Sequence, residues 1–253
     1  MIGPLSVHWY GVMYACAFIV GLWIFRRLQR YRNLQLSEQQ IDSMFLSLFL
    51  GVLIGGRLGY VLFYGDALYF SDPLEILRVW HGGMASHGGF IGVLIAMIIF
   101  TRRTRISFLS LCDVLTVPIA LGLAFGRLGN FINLELYGTP STLPWAMHFP
   151  GADGLRHPVQ LYAMIKDLSL ALLCYLLLRR PVTKGFPGLI AAVFFLGYAV
   201  LRFGVEFVRD QTGVRMLSIG HLTLSEGQVL TIPVFIGGLI LLRYVLKRWS
   251  VPS

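Results

Sequence analysis

Seven long apolar stretches dominate this sequence, and no other feature limits its possible folds so strongly. They cover roughly residues 9–25, 43–64, 86–101, 107–129, 159–178, 186–207 and 226–245. A helix that spans a bilayer needs about 20 mostly apolar residues. We therefore expect an all-α, polytopic integral membrane protein with about seven transmembrane helices. Two stretches are less regular: the fourth contains Asp113 and Pro118, and the fifth contains Lys166 and Asp167.

The shortage of charged residues supports the same conclusion. Of the 253 residues, 13% are charged and 56% are hydrophobic, and the mean hydropathy is +0.72. A soluble domain carries about 25% charged residues, so this chain cannot cover a water-facing surface. The net charge of +9 would suggest nucleic acid as the partner of a soluble protein. In membrane proteins Lys and Arg concentrate in cytoplasmic loops, and we expect no nucleic-acid partner.

The basic residues predict the orientation. Four clusters follow alternate apolar stretches: Arg26, Arg27, Arg30 and Arg32; Arg102, Arg103 and Arg105; Arg179, Arg180 and Lys184; and Arg243, Lys247 and Arg248. The positive-inside rule places these clusters in the cytoplasm, so the N-terminus is expected to be periplasmic and the C-terminus cytoplasmic. No Lys or Arg precedes Arg26, so we expect no cleavable signal peptide. The two outer loops, about 65–85 and 130–158, are too short for independent folding. We expect one domain, 1–253, with two short periplasmic caps.

Three arginines inside the apolar stretches predict an anion site. Arg57, Arg127 and Arg202 lie on helices that run outward, each ~20–30 Å from the cytoplasmic start of its helix. A charged side chain within the bilayer is costly and therefore indicates function. The planar guanidinium matches phosphate oxygens, while Glu135 and Glu206 can balance only part of the charge. The alternative is that the arginines extend toward the interface or form structural pairs with the acids.

Glycine and histidine add two expectations. Glycines recur at every fourth position in three places, which predicts close helix packing: Gly51, Gly55 and Gly59; Gly88 and Gly92; and Gly122 and Gly126. His87 is expected at the outer mouth of the third helix, where an imidazole can act as a general base. The alternative is a histidine that caps the helix or faces lipid head groups. We find no set of His, Asp and Glu with metal-ligand spacing and expect no metal.

Several classes of membrane protein fit less well. An intramembrane serine protease needs a nucleophilic serine with a base, and no Gly-x-Ser-x-Gly elbow is present. An intramembrane metalloprotease needs His-Glu-x-x-His, which is absent from the sequence. A transporter would explain the charges and often shows inverted repeats, but none is visible. An enzyme that acts on lipid head groups at the outer leaflet fits best.

Residues 126–138, Gly-Arg-Leu-Gly-Asn-Phe-Ile-Asn-Leu-Glu-Leu-Tyr-Gly, resemble the signature of prolipoprotein diacylglyceryl transferases. Five further segments fall in the order of that family: 8–11, 55–60, 87–89, 156–162 and 202–207. The resemblance implies transfer of the sn-1,2-diacylglyceryl group of phosphatidylglycerol to the thiol of a prolipoprotein's lipobox cysteine, with release of glycerol 1-phosphate. It implies no cofactor, a location in the bacterial inner membrane and an active site toward the periplasm. We expect a monomer.

The resemblance also implies roles for individual residues. Arg127 and Arg202 would stabilise the departing phosphate, with Asn130 and Asn133 as neutral donors and Arg57 as a further head-group ligand. His87 would be the base, or else structural, with water or the phosphate taking the proton. The resemblance also implies that four further residues are functional. Tyr10 would orient a substrate, Glu135 and Glu206 would hold the arginines, and Gly138 completes the signature.

Two departures from the family affect the surface that docks the lipobox. The segment between Gly138 and Arg156 is short, and Ala163 stands where relatives often have an acid. The rival hypotheses are a transporter of lipids or anions, and an inactive relative that only binds lipoproteins.

Overall fold

The computed structural model describes residues 9–65, 69, 72–212, 216–219 and 222–249. His8 and part of the predicted loop 65–85 lie outside these ranges. Seven helices of at least 18 residues occur within them: α1 Trp9–Leu28, α2 Glu38–Tyr64, α3 Ser86–Thr104, α4 Phe108–Ile132, α5 Val159–Leu178, α6 Leu189–Glu206 and α7 Glu226–Trp249. Strands β1 Met147–His148 and β2 Leu155–Arg156 pair antiparallel, as do β3 Met216–Ile219 and β4 Leu222–Ser225.

Six helices in the described ranges are long and apolar enough to cross a membrane, all of these except α3. The chain is therefore a helical, multi-pass membrane protein, as predicted. Helix α3 carries His87 near its start and Arg102 and Arg103 in its last turn. These polar residues lower the mean hydropathy of a helix that is only 19 residues long. That α3 also crosses the membrane stays a prediction.

Helix α2 begins five residues before its predicted apolar stretch. Ser37 and Gln40 form a capping box, in which the Ser37 hydroxyl accepts from the Gln40 amide at 3.2 Å and the Gln40 side chain accepts from the Ser37 amide at 2.9 Å. These bonds satisfy amides that have no partner within the helix. The first turn is therefore helical although it is polar.

The chain folds as two compact units. The α2–α3 unit contains residues 34–111, and the main unit contains the described residues of 1–33 and 112–253.

Glycines let α2 and α3 approach each other through their backbones. A Cβ atom added to Gly55 would lie 2.3 Å from the Gly88 carbonyl oxygen, and one added to Gly92 would lie 2.0 Å from that of Gly51. This confirms the predicted close packing. The same prediction is wrong for α4 within the described residues, because a Cβ added to Gly126 meets none of them within 4 Å and one added to Gly122 meets only Ala17, at 3.8 Å. A four-residue spacing defines a helix face but not its neighbour.

Asp113 ties three segments of the main unit together. Its carboxylate pairs with Arg32 Nε at 2.9 Å and accepts from the amides of Gly188 and Ala191, each at 2.9 Å. These amides belong to the start of α6, where the first turn has no acceptor of its own. The acid that interrupts the fourth apolar stretch is therefore structural.

Candidate active site

Three arginines line one cavity of the main unit. Arg127 comes from α4, Arg202 from α6, and Arg209 from the turn that follows α6. The other lining residues are Leu136, Val159, Gln160, Ala163 and Val205. The structure thus brings Arg127 and Arg202 together, as predicted. Arg209 was missed, although its position three residues after Glu206 is an ion-pair spacing within a continuing helical turn.

Glu206 is the counter-charge for two of these arginines. It is 1% exposed, pairs with Arg202, and accepts from Arg209 Nη1 at 3.3 Å. The Gln211 amide donates to its carbonyl oxygen at 2.9 Å. The start of α7 lies against this pair, because a Cβ on Gly227 would be 2.6 Å from Glu206 Oε1. The prediction that Glu206 holds an arginine therefore agrees with the geometry. Glu206 pairs with two arginines, Arg202 and Arg209.

Arg127 has no carboxylate partner among the residues that the structure describes. Its Nη1 donates instead to Asn130 Oδ1 at 3.4 Å. The cavity lining therefore presents three guanidinium groups, and Glu206 alone pairs with them in the described part of the chain. The balance is an excess of about two positive charges, since arginine stays protonated at any physiological pH.

Asn130 links Arg127 to the rest of the signature. Its buried amide nitrogen donates to the Tyr10 hydroxyl and, at 3.0 Å, to Glu135 Oε1. Both amide protons are used, so in this arrangement Asn130 orients Arg127 and has no donor for a head group. Glu135 was predicted to hold an arginine in place. Among the described residues its link to Arg127 runs through Asn130. Gln160 fixes the Glu135 main chain with a 2.6 Å hydrogen bond to the carbonyl oxygen.

The loop after α4 follows an unusual backbone path. Leu134 and Leu136 both have φ of 57°, a region that side chains other than glycine rarely adopt. Gly138 then passes so close to neighbouring segments that a Cβ would lie 2.5 Å from Val159 Cγ2 and 2.5 Å from the Val208 carbonyl oxygen. The glycine of the signature is therefore required by packing.

Asn133 does not join the cavity. Its side chain is exposed and makes no hydrogen bond with any residue in the described ranges. The structure gives no contact that supports its predicted role as a donor beside Arg127.

Arg57, in the α2–α3 unit, is a structural residue in this geometry. It is 3% exposed, and its five N–H groups donate to main-chain carbonyl oxygens of the following loop, those of Glu75, Ile76, Arg78, Gly82 and Gly83. A guanidinium has five donors, so none remains for a lipid phosphate. The expectation that Arg57 binds a head group finds no support here, whereas the structural alternative does.

The same loop carries a cluster of charged side chains. Glu75 accepts from Arg78 Nη1 at 2.9 Å and contacts His81 Nδ1 at 2.6 Å, and Asp72 pairs with Arg78 at 2.8 Å. Hydrogen bonds from Arg78 first, and from His81 second, hold the pKa of Glu75 below its ordinary range. These pairs connect Asp72, Glu75, Arg78 and His81 within the loop that Arg57 anchors.

His87 lies at the second position of α3, in the α2–α3 unit. Its side chain is exposed and makes no hydrogen bond within the described part of the chain. The capping position belongs to Ala85, which has no side-chain cap. The alternative that His87 caps the helix is therefore not observed, and its role as a base stays a prediction. No group of three or more His, Cys, Asp or Glu in the described ranges is placed to hold a metal ion.

Comparison with known proteins agrees with the signature. The family model of the prolipoprotein diacylglyceryl transferases matches residues 1–244. Curated relatives include a protein of Bordetella avium, 43% identical over 98% of this chain and 94% of its own length, and one of Nitratidesulfovibrio vulgaris, 46% identical over 96% and 91%. A third, from Methylococcus capsulatus, is 45% identical over 98% and 94%. All three are named phosphatidylglycerol–prolipoprotein diacylglyceryl transferase.

Proposed function

The chain belongs to the prolipoprotein diacylglyceryl transferase family, and from this premise we propose how its residues perform the transfer. The protein is a transferase that moves a diacylglyceryl group from phosphatidylglycerol to prolipoproteins, the first step of lipoprotein maturation. In the proposed reaction the lipobox cysteine sulfur attacks the glycerol carbon that carries the phosphate. A C–S bond forms, the C–O bond breaks, and glycerol 1-phosphate leaves.

The charge of the arginine cavity supports this reaction. The phosphodiester of the substrate carries one negative charge, and the departing phosphate monoester approaches two. A cavity with an excess of about two positive charges, set by Arg127, Arg202 and Arg209 against Glu206, attracts the leaving group more strongly than the substrate. Only such differential stabilisation accelerates a reaction, and pre-oriented donors in a dry site supply it efficiently.

The neighbouring residues keep the guanidinium groups in place. Glu206 fixes Arg202 and Arg209, and Asn130 fixes Arg127. Glu135 and Tyr10 act one step further out, because both contact the Asn130 amide. These residues are positioning residues in the proposal, and the arginines touch the phosphate.

The thiol must also lose its proton, because the thiolate is the nucleophile. His87 is our candidate, since its exposed ring has no partner among the described residues. The alternative acceptors are water and the departing phosphate itself.

We further propose that the whole chain, 1–253, acts as one monomeric domain in the bacterial inner membrane, with the active site on the periplasmic side. The distribution of basic residues supports the orientation. Arg26 and Arg27 end α1, Arg102 and Arg103 end α3, and Lys247 and Arg248 end α7. Positive charge at these ends favours a cytoplasmic location for them and a periplasmic N-terminus.

Substitution of the cavity arginines tests the proposal. The enzyme is reconstituted in vesicles that contain phosphatidylglycerol, a lipobox peptide is added, and the mass of its cysteine is followed. Arg127→Lys and Arg202→Lys keep the charge but lose the planar fork, and each should slow transfer by about 100-fold or more, as loss of one oxyanion donor does. Arg78→Lys, in the outer loop, is the matched control and should transfer normally.

Wild-type rates in both cavity variants would contradict the role of the arginines. An unmodified cysteine with the wild-type protein would favour a transporter, and peptide binding without glycerol 1-phosphate release would favour an inactive relative. Thermal unfolding of each variant shows whether a loss of activity comes from a loss of fold.

A further inference from the structure

Lys166 and Asp167 form a buried ion pair that the proposed mechanism does not use. They are neighbours on α5, their side chains are 6% and 1% exposed, and Nζ contacts Oδ1. Charges in a membrane helix are costly and are usually retained for a function. A buried ion pair is also poor evidence for stability, because well-packed apolar residues often do as well. Stability therefore does not explain why this helix carries the pair.

The pair lies about one helical turn from the arginine cavity by two independent routes. On α5, Ala163 lines the cavity and precedes Lys166 by three residues and Asp167 by four, so all three share a helix face. On α6, the Tyr198 ring lies 4.7 Å from Lys166 Nζ and precedes Arg202 by four residues.

We propose that Lys166 and Asp167 are charge-coupled to the arginine cavity and balance each other there, so that each one preserves the excess positive charge that an anion meets, and with it the preference of the cavity for a phosphate monoester over a phosphodiester. The inference rests on the proposed function, in which this cavity holds the phosphate. As a pair the two residues add no net charge. Removal of Lys166 alone leaves a negative charge beneath the cavity, and removal of Asp167 alone leaves a positive one. Neither residue touches the phosphate, so both are positioning residues that act through the arginines.

The test compares two inhibitors of the transfer reaction in vesicles at pH 8. Glycerol phosphate is mainly a dianion there, since the second pKa of a phosphate monoester is about 6. Its methyl ester is a monoanion, and the ratio of the two inhibition constants measures the charge preference. Because charges at this distance in a dry interior are weakly screened, one unit of charge should change the ratio about tenfold.

Three variants and one control give distinct expectations. Asp167→Asn should raise the preference for the dianion, Lys166→Met should lower it, and the double variant should return it to the wild-type value. Lys184→Met is the matched control, since it removes a lysine from the exposed turn after α5, and it should leave the ratio unchanged. The double variant removes the pair as a whole, so it remains informative if Asp167→Asn fails to fold.

An unchanged ratio in all variants, with or without a general loss of activity, would show that the pair is only structural and would overturn the inference. A double variant whose ratio differs from the wild type would do the same, because net charge would then not be the cause. If neither anion inhibits the wild-type enzyme, the proposed function of the cavity itself is wrong.

Discussion

The anchoring of the loop between α2 and α3 by Arg57 can be tested by replacing it with lysine. Arg57→Lys keeps the positive charge, but an ammonium has three donors where the guanidinium has five. At least two of the five hydrogen bonds to the loop carbonyls must then be lost. Arg57 is 3% exposed, so water cannot readily replace them.

The size of the effect follows from these lost bonds. Hydrogen bonds to a charged group contribute about 1.5–3 kcal/mol each, so the loop should open more easily by about 3 kcal/mol. A difference of about 1.4 kcal/mol corresponds to a factor of ten, which predicts an opening equilibrium roughly 100-fold larger.

Hydrogen exchange of the loop amides measures this opening. The amides of Arg78, His81 and Gly82 donate within the loop at 3.1, 3.1 and 3.2 Å, and their exchange should accelerate in Arg57→Lys. Arg102→Lys is the control, since it changes an exposed arginine in the last turn of α3, in the same unit. Unchanged exchange in Arg57→Lys together with a raised KM for phosphatidylglycerol would refute the reasoning and restore Arg57 as a head-group ligand.

Three further predictions concern single residues. Gly138→Ala should lower the free energy of unfolding by about 1–3 kcal/mol, as overpacking does. Gly126→Ala should not lower it, because a Cβ there meets no described residue within 4 Å and alanine favours a helix more than glycine does; chemical denaturation compares the two variants. Glu75 has a lowered pKa, so it stabilises the folded loop above the carboxyl's ordinary value of 4.5, and this contribution is lost as the pH falls through the lower, folded-state pKa. Limited proteolysis of the loop should therefore be constant at neutral pH and increase only under acid conditions, and an increase between pH 8 and 6 would contradict the sign. His87→Asn should slow transfer most at low pH, where thiolate is scarce, and parallel pH profiles of variant and wild type would exclude His87 as the base.

The membrane helices were predictable because apolar residues must be continuous to span a bilayer. The polar start of α2 was not, since Ser37 and Gln40 create it by hydrogen bonds that leave no hydropathy signal. The strand pairs β1–β2 and β3–β4 were missed for a related reason. Strands of two and four residues are too short for a periodic pattern.

The candidate site was predictable where partners are close in sequence. Arg202 and Glu206 are four residues apart on one helix, and their pairing follows from that spacing. Arg57 resembles Arg127 in sequence context, but the carbonyl oxygens that accept its protons come from residues 18 to 26 positions later. Backbone acceptors have no sequence signature, so the two arginines could be distinguished only in the folded structure.

The contacts of Asp113 imply an order of assembly during synthesis. Arg32, whose side chain pairs with the Asp113 carboxylate, is synthesised before α4. The Gly188 and Ala191 amides are synthesised 75 and 78 residues after Asp113. While the ribosome is still producing α5, Arg32 is therefore the ready partner for this acid in the lipid-exposed intermediate. When α6 is made, its Gly188 and Ala191 amides complete the hydrogen bonds of the Asp113 carboxylate. Until then Arg32 is the partner that can neutralise this carboxylate.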